Sequence, residues 1–143
     1  MAQDIMIGEL AKKTGTKVQT IRYYEDVGVM PLPARATNNR RLYNNSHLER
    51  LTFIRHSRAL GFSLDDIRNL LALVDQPGRH CDEVDTIARD HLTDVEEKIA
   101  SLQVLKAELE RMVSRCAGGT VSDCRIIKVL ADHNLCETHI SMP

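Results

Sequence analysis

Apolar residues recur at helical spacing through most of the chain, and the breaks between those stretches mark its elements. Leu10 and Ala11 share one face of residues 7–15, which predicts a short helix ended by Gly15. Val18, Ile21 and the Tyr24/Glu25 pair keep the same period through residues 17–27, a second short helix. Two short helices joined by a tight turn with a glycine form the pattern of a helix-turn-helix. From Met30 to Asn45 the period disappears. Pro31 and Pro33 exclude a regular helix there, and Asn38-Asn39 predicts a hairpin turn because asparagine tolerates positive φ. This segment reads as a wing with very short strands.

Helical periodicity then returns. Ser46 is read as an N-cap with Glu49 three residues later closing a capping box, and Leu48, Leu51 and Ile54 carry the helix to about Leu60, where Gly61 stops it. Ser63 caps the next helix, with Asp66 at the third position and Leu64, Ile67, Leu70 and Leu71 as its apolar stripe. The run Asp-Gln-Pro-Gly-Arg-His over residues 75–80 breaks that helix. From about Asp82 to Arg115, Ala88, Leu92, Val95, Ile99, Leu102, Leu109 and Val113 alternate at spacings of three and four, with Lys106 in the one missed position. A heptad seam of this length needs a partner helix to bury it. After Cys124, Ile126, Ile127, Val129 and Leu130 predict a short helix, and beyond Asp132 a loosely ordered end. The expected fold class is all-α with a small wing: an N-terminal winged helix-turn-helix with a second helical pair (1–75), a long antiparallel coiled-coil dimerisation helix (81–115), and a loop, short helix and tail (116–143).

Composition sharpens the division. The core is mostly aliphatic, since the 143 residues include two Phe, three Tyr and no Trp. The formal net charge of −1 conceals an asymmetry: residues 1–60 hold ten Lys/Arg against five Asp/Glu, and residues 61–143 hold nine against fifteen. A basic reading head joined to an acidic partner or sensor segment would give this pattern. No apolar run approaches the roughly 20 residues a bilayer-crossing helix needs, and residues 1–7 lack a basic region followed by an apolar core. The expected compartment is therefore the cytoplasm, where four cysteines are expected to be thiolates that bind something rather than structural disulfides.

On the second helix, Gln19, Thr20, Arg22 and Tyr23 lie opposite Val18 and Ile21, placed to touch base edges and phosphates in a major groove. Lys12, Lys13 and Lys17 cluster at the turn as phosphate contacts, Arg40 and Arg41 stand at the wing, and Arg55 and Arg58 are further basic candidates. An enzyme has little support, because no Ser/His/Asp or Cys/His arrangement falls in a predicted cleft.

The cysteines suggest a second chemistry. Thiolates select soft or borderline ions over Mg or Ca. Cys116 and Cys124 bracket Ala-Gly-Gly-Thr-Val-Ser-Asp, whose two glycines let a short loop close around an ion. Cys81 stands at the opposite end of the long helix, roughly 50 Å away at 1.5 Å per residue, so one chain cannot bring it to the same ion. In an antiparallel pair, Cys81 of one subunit lands beside Cys116 and Cys124 of the other, which predicts a dimer with two metal sites built across the interface. The loop pair alone suits linear Cu(I), and a third thiolate favours a divalent ion. A competing reading is a small-molecule- or redox-responsive regulator on the same scaffold, the latter with the loop pair oxidised to a disulfide. Cys136 and His139 form a C-x-x-H pair in the tail, with His133 nearby, as candidate further ligands.

Ile7-Gly8-Glu9-Leu10-Ala11, Thr20-Ile21-Arg22-Tyr23-Tyr24-Glu25 and Arg41-Leu42-Tyr43 together resemble the MerR family of transcriptional regulators. Leu51-Thr52-Phe53-Ile54-Arg55 and Leu60-Gly61-Phe62-Ser63-Leu64 resemble that family's second helical pair, and the similarity spans about residues 5–130. The resemblance implies a homodimer that binds double-stranded promoter DNA with an overlong spacer, holds it poorly transcribed without inducer, and distorts it when inducer binds so that RNA polymerase initiates. It adds Tyr43, within the Arg-Leu-Tyr motif, to the DNA-binding set. The cysteine set resembles the branch sensing divalent soft metals: cadmium, lead or zinc, with mercury and cobalt also in its range. The seven-residue loop resembles the copper-sensing type, and Cys136 and His139 resemble the extra tail ligands of some lead and cadmium sensors. The family usually carries a glycine and an aromatic where this chain has Asn39 and Arg40.

Overall fold

The computed structural model describes residues 4–115 and 118–132, and divides into two compact units, 1–87 and 88–143. In the first, α1 (Ile7–Thr14) ends where Gly15 takes the left-handed conformation at φ 65°, and α2 (Val18–Asp26) follows after a three-residue turn. The wing pairs β1 (Ala34–Arg35) with β2 (Arg41–Leu42) antiparallel, Arg35 opposite Arg41. Asn39, at φ 66°, turns the hairpin as the sequence predicts, taking a conformation that a β-branched residue would resist. The chain entering α1 extends the wing, because Ile5 and Tyr43 exchange backbone hydrogen bonds of 2.7 and 2.8 Å. Next come α3 (Asn45–Ala59) and α4 (Leu64–Val74).

A core of Leu10, Ile21, Tyr24, Met30, Tyr43, Leu51, Ile54 and Ile67 draws one or two side chains from each of the four helices and adds Met30 and Tyr43 from either side of the hairpin, tying helix-turn-helix, wing and helical pair into one body. Of the expected apolar stripes, Leu10 and Ala11 of α1, Ile21 and Tyr24 of α2, and Leu64, Ile67 and Leu71 of α4 join it; Val18 is only half-buried.

One boundary differs from the expectation. The N-cap of α3 is Asn44, not Ser46: the Asn44 side chain accepts the His47 N–H at 3.2 Å, and His47 Nδ1 accepts the Asn44 N–H at 3.1 Å. Ser46 lies inside the first turn. The cause is tertiary, since the Ile5–Tyr43 bridge holds the chain extended up to residue 43 and the helix starts at the first position free to turn. Ser63 does cap α4, accepting the Asp66 N–H at 3.1 Å.

Gly15 is required twice over. Its φ is left-handed, and a Cβ there would collide with the Arg55 guanidinium, which donates to the Thr14 carbonyl at the end of α1. Gly15→Ala is therefore expected to destabilise the protein by about 2 kcal/mol, combining the backbone penalty with displacement of Arg55. A urea unfolding midpoint equal to that of the wild type would contradict this.

The long helix α5 (Asp82–Ser114) matches the predicted span, and its part beyond residue 87 dominates the second unit. Leu92, Ile99, Leu102, Leu109 and Val113 of the seam are exposed, and Val95 is half-buried. Leu102, Leu105, Leu109 and Val113 line an apolar groove of about 600 Å³. Lys106, the missed heptad position, pairs with Glu110 at 3.7 Å. Glu108 and Met112, which neighbour the groove-lining Leu105 on the helix surface, are buried, with an Arg111–Glu108 ion pair at 2.7 Å. A 3-10 turn (Val121–Asp123) leads into α6 (Arg125–Ala131), of which Val129 is buried. The expectation for the segment beyond Asp132 lies outside the described residues.

Candidate nucleic-acid interface and metal centre

The helix-turn-helix leaves one polar face outward because its apolar stripe is spent on the core. Arg22 and Gln19 are exposed on α2, Tyr23 is 52% exposed, and Thr20 is half-buried on the same side. Lys17 is the N-cap of α2 and Lys12 and Lys13 close the last turn of α1, all exposed. Lys13 pairs with Glu9 at 3.5 Å.

Between the start of α1 and the wing lies a concavity of about 420 Å³ lined by Arg22, Arg35, Arg40 and Arg41 together with Met6, Ile7 and Gly8. Four guanidinium groups beside a helix N-terminus make a site for anions: the first N–H groups of α1 lack intrahelical partners, and the helix dipole adds positive potential. Arginine forks match phosphate oxygens bidentately. Lys12, Lys17, Gln19, Thr20 and Tyr23 do not line this concavity; they belong to the exposed face of the turn and α2.

The wing rests on a buried carboxylate. Glu25, on the last turn of α2, is 6% exposed. It accepts the Tyr43 hydroxyl hydrogen bond, and its Oε2 lies 3.4 Å from Arg41 Nε, an ion pair without hydrogen-bond geometry. Burial, reinforced by the bond to Glu25, pushes the Tyr43 phenol well above the usual tyrosine range. Burial also lowers the pKa of His47, whose ring meets Tyr43 edge-on at 5.3 Å.

Tyr43 is therefore a correction to the expected DNA-contacting set. It is 1% exposed and its one polar atom is committed to Glu25. Alternation along the strand puts residues 41 and 43 on one face, turned toward α2; the arginine is long enough to reach the rim and the tyrosine is not. Arg55, likewise a basic candidate, is engaged by the carbonyl of Thr14.

Two residues of this region escaped the sequence reading. Arg35 joins the basic concavity because the hairpin register sets it opposite Arg41, and its Nη1 donates to the Asn39 carbonyl at 3.0 Å. A hairpin centred on Asn38 would have placed it. Glu25 was visible as an acid within the apolar period of α2, and a carboxylate on a buried stripe demands a partner.

Of the cysteines, Cys81 is an exposed thiol one residue before α5, and Cys124 is a half-buried thiol at the N-cap of α6. Neither is in a disulfide. Gly118 and Gly119, at φ 79° and 99°, shape the loop that precedes Cys124, with open space around both. Cys116, Cys136 and His139 lie outside the described residues, among which no group of three metal-ligating side chains converges. The donors that are described, soft thiols at helix starts with room around the loop, fit a soft ion and not Mg or Ca.

Comparison with known proteins agrees with this architecture. The model of the MerR HTH family regulatory proteins matches residues 5–73, and that of the MerR DNA-binding region matches residues 48–112. The HTH-type transcriptional regulator ZntR of Escherichia coli K12 is 43% identical over 127 residues, covering 87% of this chain and 90% of its own. The chain belongs to the MerR family. It is a helix-turn-helix transcriptional regulator and not an enzyme, as are the curated relatives it matches.

Solved MerR-family structures agree in fold. PbrR691 from Ralstonia metallidurans CH34, in complex with lead(II), superposes with a TM-score of 0.78 at 43% identity, covering 88% of this chain and 98% of that one. The MerR regulator of Bacillus megaterium MB1, in complex with mercury(II), gives 0.66 at 30% identity, covering 90% and 100%. The MerR HTH match ends within α4, so Cys81 lies outside it, and the DNA-binding match ends within α5. Among the described residues no helix is long and apolar enough to cross a membrane.

Proposed function

We propose that this MerR-family protein is a metal-responsive regulator: a cytoplasmic homodimer that binds double-stranded promoter DNA and activates metal-resistance or efflux genes when a divalent soft ion binds its cysteines. Likeness over nearly the whole chain to a lead(II)-bound regulator, together with this chain's own thiols just before α5 and at the N-cap of α6, is the observation that carries this reading. Cys81 of one subunit with Cys116 and Cys124 of the other would hold the ion; Cys136 and His139 would supply further ligands. Cadmium, lead or zinc suits three thiolates, and mercury or cobalt falls in the same range. The bound ion would supply a bridge between subunits, replacing repulsion between thiolates with attraction.

Everything else falls to the chain's own side chains. The exposed seam of α5 supplies the dimer contact. Lys12, Lys17, Gln19, Thr20, Arg22, Tyr23, Arg40 and Arg41 supply the DNA surface, its phosphate contacts accounting for most of the affinity and its base contacts for specificity. Activation proceeds by distorting and underwinding the promoter so that RNA polymerase engages it, which needs both reading heads held by one rigid dimer.

Titration of the purified dimer with Cd(II) and, separately, with peroxide tests this reading. Thiolate-to-metal absorption, unaltered occupancy of promoter DNA and raised transcription are the expected results with Cd(II). A transcriptional response to peroxide alone would instead make the loop pair a redox switch, and a response to Cu(I) alone would make the protein a copper sensor.

A further inference from the structure

The wing carries an electrostatic problem that its own strands do not solve. Arg35 and Arg41 stand directly opposite each other in a ribbon of two residues per strand, with Arg40 beside them and Arg22 across the concavity. Like charges at paired positions destabilise a ribbon, and one this short has little else to hold its register. Among the described side chains, Glu25 is the carboxylate paired with this cluster, and it comes from α2, the recognition helix of the proposed DNA-binding head. It is buried at the junction, held on one side by the Tyr43 hydroxyl and facing Arg41 Nε on the other. The Ile5–Tyr43 bridge anchors the same strand through its backbone, so Glu25 acts on a wing already fixed at one end.

We infer that Glu25 is a positioning residue for DNA recognition: its buried carboxylate clamps the wing to the recognition helix through Arg41 and Tyr43, setting the angle at which the basic concavity meets the duplex. Glu25 itself touches no DNA, since it lies beneath the surface. Its charge offsets one guanidinium of the cluster in the free protein, and phosphates take over that task for the rest of the cluster on binding. The inference rests on the DNA-binding reading of that surface.

The role has a signature that a general packing role lacks. Glu25→Gln keeps the volume and an acceptor for Tyr43 but removes the charge that holds Arg41. A loosened wing loses operator-specific affinity, whereas one negative charge fewer beside the duplex leaves non-specific affinity equal or higher. The experiment uses the full chain and a duplex selected by the wild type from a randomised pool, with a scrambled duplex as reference, at several salt concentrations. The ratio of selected to scrambled affinity is expected to fall about tenfold in Glu25→Gln, equivalent to about 1.4 kcal/mol, and by a smaller factor in Tyr43→Phe. In an Arg41→Ala background, Glu25→Gln is expected to lower the ratio no further, because the contact it positions is already gone. An unchanged ratio in both single variants, or a loss fully additive with Arg41→Ala, overturns the inference. Should Glu25→Gln unfold, the Tyr43→Phe arm and its cycle with Arg41→Ala decide alone. Failure of the wild type to select any duplex would instead overturn the DNA-binding reading beneath it.

Discussion

Cys81→Ser is expected to abolish the transcriptional response to divalent metals while leaving dimerisation and metal-free DNA binding intact. Serine preserves size but cannot furnish a soft anionic ligand at neutral pH. Loss of even an outer-shell partner typically costs roughly 10–100-fold in metal affinity, so loss of a ligand should cost more. The side chain is exposed and precedes α5, so nothing in the core or the seam depends on it. Of the acidic residues in the first turn, Glu83 is paired with Arg79 and Asp82 with His80, and hard oxygen donors will not retain a soft ion in place of a thiolate. Fluorescence anisotropy on promoter DNA with and without Cd(II), paired with run-off transcription, measures both halves of the expectation. Normal induction in the variant would refute a site that draws Cys81 from the partner subunit, and lost DNA binding without metal would show that the residue does something else.

The second large effect is expected at the seam. Leu102 and Leu109 are 62% and 57% exposed in the single chain and line its apolar groove. Apolar surface of that kind on one long helix is buried only by another. Burying one leucine side chain contributes about 1.5–3 kcal/mol, and a symmetric pair of helices buries four from these two positions. Replacing both with glutamate removes that contribution and would place carboxylates in a desolvated interface. Leu102→Glu with Leu109→Glu is expected to give a monomer at micromolar concentration with the helical content of the wild type, since glutamate is a good helix former. Operator affinity should fall by orders of magnitude, because the second reading head no longer binds as part of the same molecule. Sedimentation and circular dichroism check the first part, anisotropy the second. A dimer that survives both substitutions would place the subunit contact elsewhere.

The surface behind both expectations was open to sequence reasoning to different degrees. The expectations at Cys81 and the seam come from counting residues along one helix, which needs no knowledge of what the helix touches. Arg35 and Glu25 were not found, because each acquires its role from a neighbour on another element: Arg35 from hairpin register, Glu25 from the fold of the wing over α2.

That contrast runs through the whole chain. Helix limits at Gly15 and Ser63, the Asn39 turn and the 82–114 span were legible in the sequence alone. Each depends on contacts within a few residues, through capping hydrogen bonds, allowed φ angles and the helical repeat. At the start of α3 local pattern points to Ser46–Glu49, whereas the folded chain caps the helix with Asn44–His47. The backbone bridge from Ile5 to Tyr43, spanning nearly forty residues of chain, made the choice by fixing where extension ends. Tyr43 differs from Arg41 for the same kind of reason. Both stand on one face of the hairpin's second arm, and only the depth of Glu25 beneath that face separates a buried anchor from a side chain at the rim of the basic concavity. Local hydrogen bonding and periodicity belong to the sequence; burial, register and the pairing of distant charges belong to the fold, because their energies arise between residues the chain brings together only when it is complete.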